Sequence, residues 1–272
     1  EAPPFFRAIP GDWESKSVVQ APSKIKEQVS NLLKKSVENH EWRQRQCINL
    51  IPSEMTQSTL VRLLQITDPC GRYAEHKELL AAFEQEIFYY QGTEFIAWAE
   101  DRLVEEMQSF LGYPLVETRV ISGQMANMTI FSALVDFLNR TDRRSEPRRI
   151  PLVMNNHIGK GGHLSSQPMG ALRDYVAKDP VTEKYSVLNF PVLPATPYCI
   201  DLNETANLLD RFDPELIILG KSMILHPEPV AAIRKMLETK TSRPVIMYDM
   251  AHVLGLIGPH FQNPYEEGAD II

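Results

Sequence analysis

The segment PVIMYDMAH, residues 244–252, indicates the fold class of this chain. Its apolar run has the length of a strand and ends at Asp249, and His252 follows three positions later. Four similar runs precede it, namely LVETRVI (115–121), RIPLVMN (149–155), YSVLNFPV (185–192) and LIILG (216–220). Helical patterns lie among them at 124–138, 203–212 and 228–239. Short apolar runs that alternate with helices are typical of parallel strands buried on both faces, so we expect an α/β fold with a mostly parallel sheet flanked by helices.

The first part of the chain has a different pattern. Residues 1–21 are rich in proline and unpatterned, and from Ser23 to about Gln46 apolar residues recur at helical spacing. This predicts an N-terminal arm and helix over 1–45, followed by the α/β domain over 46–272. Helical periodicity also appears early in that domain, in STLVRLLQ (58–65), HKELLAAFEQEIFYY (76–90) and TEFIAWAEDRLVEEMQSFLG (93–112).

Composition excludes several classes of function. The net charge of -7 gives no basic surface for a phosphate backbone, so we expect no nucleic acid partner. The apolar runs are too short to cross a bilayer, so we expect no membrane span. Three separated cysteines favour neither a zinc site nor a disulfide framework, and they fit a reducing cytoplasm.

Three groups of residues follow predicted strands, where open α/β sheets bind their ligands. Ser122 and Gly123 begin a helix, whose free N–H groups suit a phosphate, although a serine cap followed by glycine is commonly structural. His163 closes the glycine-rich loop NNHIGKGGHLSSQ (155–167), which could also be a simple turn. Asp249 and His252 suit the binding of a charged flat ring. Equally, Asp249 could cap the next turn and His252 could be a histidine of the core. Together the groups are what a pyridoxal phosphate site requires, although spacing does not separate it from other nucleotide-like cofactors.

Six motifs in this order resemble one family. They are INLIPSEMTQS (48–58), GRYAEH (71–76), FYYQGTEFIAWAE (88–100), SGQMAN (122–127), GKGGHLSS (159–166) and YDMAHVLGLIG (248–258). The sequence resembles serine hydroxymethyltransferase, an enzyme of PLP-dependent transferase fold type I, over roughly residues 46–272. The resemblance implies the large domain of that fold in incomplete form, with pyridoxal 5'-phosphate as cofactor and a β-hydroxy amino acid as substrate.

The resemblance also implies the residues that hold the cofactor. Asp249 would hold the ring nitrogen protonated, Ala251 would lie against the ring, and His252 would contact the 3-oxygen. His163 matches the second histidine of the family's HGGHL element. The remaining cofactor-binding candidates are the phosphate-loop residues Ser122, Gly123 and Gln124, and Ser222 near the 3-oxygen.

Other matched positions concern the substrate. Glu75 would be the carboxylate that handles a proton near the substrate hydroxyl or folate. Tyr73 would reach a phosphate in a neighbouring subunit, and Tyr90 would line the substrate pocket. Ser53, with Glu54 beside it, would contact the substrate carboxylate.

Several positions depart from the family pattern. Lys160 stands where the family has the ring-stacking histidine, Gln124 and Met125 stand where it has a serine and a glutamine, and Met55 replaces an asparagine. In the family, the segment that corresponds to the residues near 272 runs into the lysine that forms the Schiff base.

Three hypotheses follow for the function. In the first, the chain is part of an enzyme that carries out hydroxymethyl transfer or aldol cleavage at a β-hydroxy amino acid, with tetrahydrofolate as a candidate carrier. A second chain, or a C-terminal half of the same longer chain, then supplies that lysine. In the second, this chain is a non-catalytic paralogue that binds and regulates a complete homologous subunit. In the third, it belongs to an aldolase or transaldolase that uses no folate. The first two predict a hetero-oligomer or dimer.

Overall fold

The computed structural model describes residues 22–79, 85–142, 146–254 and 261–272. The chain divides into two compact units between Ile51 and Pro52. In the first unit, helix α1 (Pro22–Glu41) is followed by one π-helical turn, Trp42–Gln46. The helix predicted over 23–46 is therefore confirmed, whereas the arm predicted over 1–21 lies outside the described residues. The apolar side chains of α1 that set its periodicity are exposed, namely Ile25, Val29, Leu32, Leu33 and Val37.

The second unit is built on a four-stranded sheet in the order β4-β3-β7-β8. The strands are β3 (Val153–Asn155), β4 (Val187–Asn189), β7 (Leu216–Gly220) and β8 (Val245–Asp249). All three pairings are parallel, and β7 and β8 run in register from Leu216 opposite Val245 to Gly220 opposite Asp249. The predicted α/β class with a mostly parallel sheet is confirmed.

Helices cover both faces of the sheet. On one face, α4 (Gly123–Leu138) buries Phe131 and Leu134 against a core that includes Ile218 and Met247. On the other face, α5 (Leu202–Arg211) and α6 (Val230–Leu237) pack on the alternate strand residues, among them Leu219 and Tyr248. Because successive side chains of a strand point to opposite faces, both sets of strand residues are buried. All five residues of β7 are fully buried, as the uninterrupted run LIILG predicts.

Besides 3-10 turns, the rest of this unit contains two further helices and four further strands within its described residues. These are α2 (Thr59–Leu64), β1 (His76–Leu79), β2 (Gln85–Phe88), α3 (Glu94–Leu111), β5 (Val192–Leu193) and β6 (Thr196–Ile200). Helix α3 ends at Gly112, whose φ of 71° is the left-handed conformation that glycine adopts without strain. Within the ranges described above, no helix is long and apolar enough to cross a membrane.

Two predictions of secondary structure are wrong. Within the range 76–90, where a helix is predicted, the described residues form the antiparallel pair β1–β2, in which four cross-strand pairs run from His76 opposite Phe88 to Leu79 opposite Gln85. Residues 80–84 of this range lie outside the described residues. Pairing between strands has overridden a local helical pattern there. The strand predicted over 115–121 is not a strand, since no described segment forms a ladder with it. The strand expected over 185–192 ends at Asn189, and a separate short strand begins after Pro191, which has no N–H to donate.

Candidate functional site

Asp249, the last residue of β8, is the centre of the candidate site. Its side chain is 9% exposed. One carboxylate oxygen accepts hydrogen bonds from the Asn127 amide at 3.4 Å and the Ser165 hydroxyl at 3.2 Å, and lies 3.3 Å from Nδ1 of His163. The other accepts the backbone N–H of Ala251 at 3.1 Å. The sheet edge, α4 and the glycine-rich loop thus meet at one buried carboxylate.

These contacts keep Asp249 ionised. Burial by itself would raise the pKa of the carboxyl group, but the hydrogen bond and positive charge of His163 outweigh it. With the Ala251 N–H and the Asn127 amide, they lower the pKa of Asp249 to about 2. The hydrogen bond to Asp249 raises the pKa of His163 above its ordinary value, against the opposing effect of burial. Asp249 is therefore ionised near neutral pH, and His163 keeps its proton to higher pH than an ordinary histidine because a carboxylate lies beside it.

His252 lies beside this pair. The His163 and His252 rings meet edge to face, with their centroids 5.1 Å apart. Burial, reinforced by the charge of His163, lowers the pKa of His252. Its Nδ1 atom is buried and has no hydrogen-bond partner among the residues that the structure describes. A buried polar atom without a partner is costly, so this nitrogen is suited to a group bound in the site.

Close backbone packing fixes the sheet edge at Asp249. A Cβ atom added to Gly220, the last residue of β7, would lie 2.8 Å from Cβ of Asp249. The backbone N–H of His163 donates to the Gly220 carbonyl at 3.0 Å, and the N–H of exposed Ser222 donates to the Gly161 carbonyl at 2.8 Å. Lys160, in the same loop, is exposed.

The start of α4 provides a second polar surface. Ser122 is the N-cap, and its hydroxyl oxygen accepts the N–H of Met125 at 3.1 Å. Ser122, Gly123 and Gln124 are all exposed, and the N–H groups of Gly123 and Gln124 have no intrahelical acceptor at this positive end of the helix. An open groove of about 670 Å³ begins at Ser122 and Gln124 and follows α4 as far as Asp136 and Tyr175.

Tyr73, Glu75 and Tyr90 come together in a second group. The Tyr73 and Tyr90 rings lie 5.3 Å apart, and the Tyr90 hydroxyl lies 3.4 Å from a carboxylate oxygen of Glu75. All three side chains are exposed, in contrast to Asp249. Glu75 also lines a polar cavity of about 450 Å³ that contains Glu117 and Arg119. Of the other sequence candidates, Ser53 and Glu54 lie exposed in the turn before α2, and Ala251 is exposed after β8.

Sequence reasoning did not select every residue of the Asp249 site. Asn127 lies within the quoted motif SGQMAN and Ser165 within GKGGHLSS, but neither was a candidate. Asn127 is separated from Asp249 by 122 positions and Ser165 by 84. The available signal was their closeness in sequence to candidate residues, since Asn127 lies three residues after Gln124 and Ser165 two residues after His163.

Comparison with known proteins identifies the family. A family model described as serine hydroxymethyltransferase matches residues 23–272. The chain belongs to the serine hydroxymethyltransferase family. It is 34% identical to a serine hydroxymethyltransferase of Pyrobaculum islandicum over 248 residues, which are 91% of this chain and 51% of that protein. The protein of the same name from Pyrobaculum calidifontis is 34% identical over 252 residues, 92% of this chain and 51% of its own length.

A more distant relative gives the same result. The serine hydroxymethyltransferase of Staphylothermus marinus is 31% identical over 236 residues, covering 86% of this chain and 47% of that protein. The chain therefore spans about half the length of these curated relatives.

Proposed function

We propose that this chain forms part of a pyridoxal phosphate enzyme that acts on a β-hydroxy amino acid, by hydroxymethyl transfer or aldol cleavage. The observation that carries the proposal is the geometry of Asp249 at the end of β8, whose side chain is 9% exposed and whose carboxylate lies 3.3 Å from Nδ1 of His163. Membership of the serine hydroxymethyltransferase family supports it.

The side chains around Asp249 fit this cofactor. One oxygen of the carboxylate accepts only the Ala251 N–H among the hydrogen bonds between described residues, so it has a lone pair left for a protonated ring nitrogen. The unpartnered Nδ1 of His252 suits the 3-oxygen, and the N–H groups at the exposed start of α4 suit the phosphate. We assign Ser222, Gln124, Gly123 and Ala251 to the same site. When bound, the cofactor supplies an electron-accepting ring that stabilises negative charge at the α carbon of the substrate.

The protein's own groups would control protons and orientation. Asp249 favours a protonated ring nitrogen because a buried carboxylate is stabilised by an adjacent positive charge. His163 holds Asp249 in place and in the ionised form. Glu75, hydrogen-bonded to Tyr90, is our candidate for moving a proton at the substrate hydroxyl as the Cα–Cβ bond breaks. Tyr73 and Tyr90 would line the pocket, and Ser53 with Glu54 would bind the amino acid carboxylate.

The proposal includes a partner chain. This chain spans about half the length of its relatives. We propose that the other half, carried by a separate C-terminal chain or by the rest of the same polypeptide, supplies the reactive lysine and the rest of the substrate site. A complete homologous subunit in a hetero-oligomer or dimer is the alternative source of these groups. Exposed Tyr73 and Glu75 could then face a partner's cofactor. Tetrahydrofolate would be the one-carbon acceptor in hydroxymethyl transfer, and the cytoplasm is the proposed location.

Binding of pyridoxamine 5'-phosphate tests the cofactor site. This compound has the same ring and phosphate but no aldehyde, so it cannot condense with lysine amines. We expect the purified protein to bind it and Asp249→Ala to weaken binding at least about tenfold, a loss of roughly 1.4 kcal/mol. Asp213→Ala, which removes an exposed carboxylate near the amino end of β7, is the matched control. If Asp249→Ala binds as well as the control, the assignment of Asp249 is wrong.

One observation favours a second function, a non-catalytic subunit that regulates a complete homologue. Exposed Lys160 occupies the position at which the family is expected to have a ring-stacking histidine, and a cation does not replace that ring. The two functions differ in one measurement. In a complex with a complete homologue, Glu75→Gln should lower the rate of aldol cleavage per active site if this chain contributes to catalysis. Under the regulatory alternative, the rate of cleavage per active site would not change.

A further inference from the structure

A buried ion pair lies behind the candidate site. Lys221 directly follows β7 and is 2% exposed, and Glu228, just before α6, is 3% exposed. The Lys221 ammonium donates to Glu228 at 2.5 Å and to the Tyr198 carbonyl at 2.7 Å. Such a pair is unusual because taking two charges out of water is costly, and the pair has no place in the chemistry proposed above.

Lys221 does not lie on the same face of the sheet as Asp249. Side chains alternate along a strand, and Gly220 is the residue of β7 that packs on Asp249. The next residue, Lys221, therefore continues the opposite face, where Leu219 packs among residues of α5 and α6. Its ammonium group is engaged by Glu228 and Tyr198 on that side. Lys221 is thus placed to act through other residues and not as a reactive amine.

The backbone of Lys221 joins the strand to the glycine-rich loop. Gly162 and Lys221 form an antiparallel bridge, which is flanked by the hydrogen bonds from His163 to Gly220 and from Ser222 to Gly161. The bridge requires a glycine, since a Cβ atom on Gly162 would lie 2.2 Å from the Asn156 carbonyl oxygen. The loop that carries His163 is therefore held against the backbone of Gly220, Lys221 and Ser222 at the end of β7.

Asn156 connects the ion pair to the start of the same loop. Its amide donates to the second carboxylate oxygen of Glu228 at 3.2 Å, and its side-chain oxygen accepts the Gly220 N–H at 2.9 Å. Gln262 adds a further anchor, since it accepts the Glu228 N–H and donates to the Glu228 carbonyl. One buried network thus fixes the loop at Asn156 and at Gly162.

We propose that the Lys221–Glu228 ion pair is a positioning element that holds the loop 157–163 on the end of β7 and so sets the contact between His163 and Asp249. The effect of the ion pair on cofactor binding rests on the proposed cofactor site. Its effect on the position of the loop does not depend on that site. Loss of the pair should let the loop move away from the sheet edge, and His163 would then lose its close approach to Asp249.

The test uses three variants of the purified protein. Lys221→Met removes the ammonium but keeps most of the side-chain length, and Glu228→Gln keeps the bond from Lys221 to Tyr198. The double variant Lys221→Met/Glu228→Gln removes both charges and leaves none unpaired. We expect Tm to fall in each single variant and to recover in the double variant, because a buried charge without its partner is more costly than no charge at all.

The deciding readout is the titration of His163, followed by NMR of histidine-labelled protein and assigned with His163→Gln. His163 faces Asp249, Ser165 and His252, and its pKa is raised mainly by the hydrogen bond to Asp249. We expect the pKa to fall to the ordinary value or below in all three variants, including the double variant whose Tm has recovered. Binding of pyridoxamine 5'-phosphate should weaken by about tenfold, as is typical when a residue that orients a ligand-binding group is removed.

The outcomes separate this inference from the proposed function. Lys240→Met is the control, since Lys240 also pairs with a carboxylate, that of Asp213 at 3.1 Å, but lies at the far end of the strands. If the double variant recovers Tm and His163 titrates as in the wild type and in Lys240→Met, the pair has only a structural role and the inference is wrong. If the wild type binds no pyridoxamine 5'-phosphate, the proposed cofactor site fails, and the titration of His163 still decides the positioning role.

Discussion

At the scale of single residues, the ion pair between Asp249 and His163 predicts how stability depends on pH. The pKa of Asp249 is lowered from 3.8 to about 2, so its contribution is present above pH 3.8 and is lost as the pH falls towards 2. The pKa of His163 is raised above 6.5, so its contribution is complete below pH 6.5 and is lost as the pH rises through the raised value. The pair therefore stabilises the fold most between about pH 4 and 6.5.

Asp249→Asn should remove this contribution. We expect the free energy of unfolding at pH 6 to fall by about 2 kcal/mol, since each unit of pKa shift corresponds to about 1.4 kcal/mol. The difference from the wild type should shrink as the pH rises above 6.5, because His163 loses its charge in the wild type as the pH passes through its raised pKa. Urea unfolding at several pH values measures this difference in the free energy of unfolding. Asp213→Asn, at an exposed carboxylate, should show a small effect at pH 6, and a pH-independent loss in Asp249→Asn would contradict the ion pair.

At the scale of elements, the Ser122 cap of α4 should affect both the stability of the fold and the binding of a phosphate group. Ser122→Ala removes the acceptor for the Met125 N–H and should lower the free energy of unfolding by about 1 kcal/mol. It should also weaken binding of pyridoxamine 5'-phosphate, because it removes a polar side chain beside the first N–H groups of the helix. Ser58→Ala is a matched control, since Ser58 caps α2 in the same way through the Val61 N–H. We expect Ser58→Ala to lose a similar amount of stability and to bind pyridoxamine 5'-phosphate as the wild type does. If both variants bind this compound equally well, its phosphate does not bind at the start of α4.

The same scale shows which parts of the fold the sequence could predict. Strands β7 and β8 were predictable because both of their faces are buried, so that the whole strand is apolar, and α3 was predictable from its apolar spacing and from Gly112 at its end. The pair β1–β2 was not, because cross-strand pairing is invisible to a local helical pattern. For the candidate site, motifs selected Asp249 and His163, which the structure places 3.3 Å apart, and Ser122, which caps α4. The partnership of Lys221 with Glu228 could not be inferred, since lysine and glutamate residues usually lie on the surface.

At the scale of the whole molecule, helix α1 predicts association with another chain. Leu32 is 69% exposed, and at 100° per residue it lies on one stripe with the other exposed apolar residues of the helix, whereas Asn31 lies on the opposite side. Such a stripe typically marks a protein contact. Leu32→Glu should therefore weaken self-association, or association with a homologous subunit, by at least about tenfold, since burial of a leucine contributes roughly 1.5–3 kcal/mol. Sedimentation velocity over a range of concentrations measures this. Asn31→Glu adds the same charge to the polar side and should leave association unchanged, so equal behaviour of the two variants would show that the stripe is not the contact.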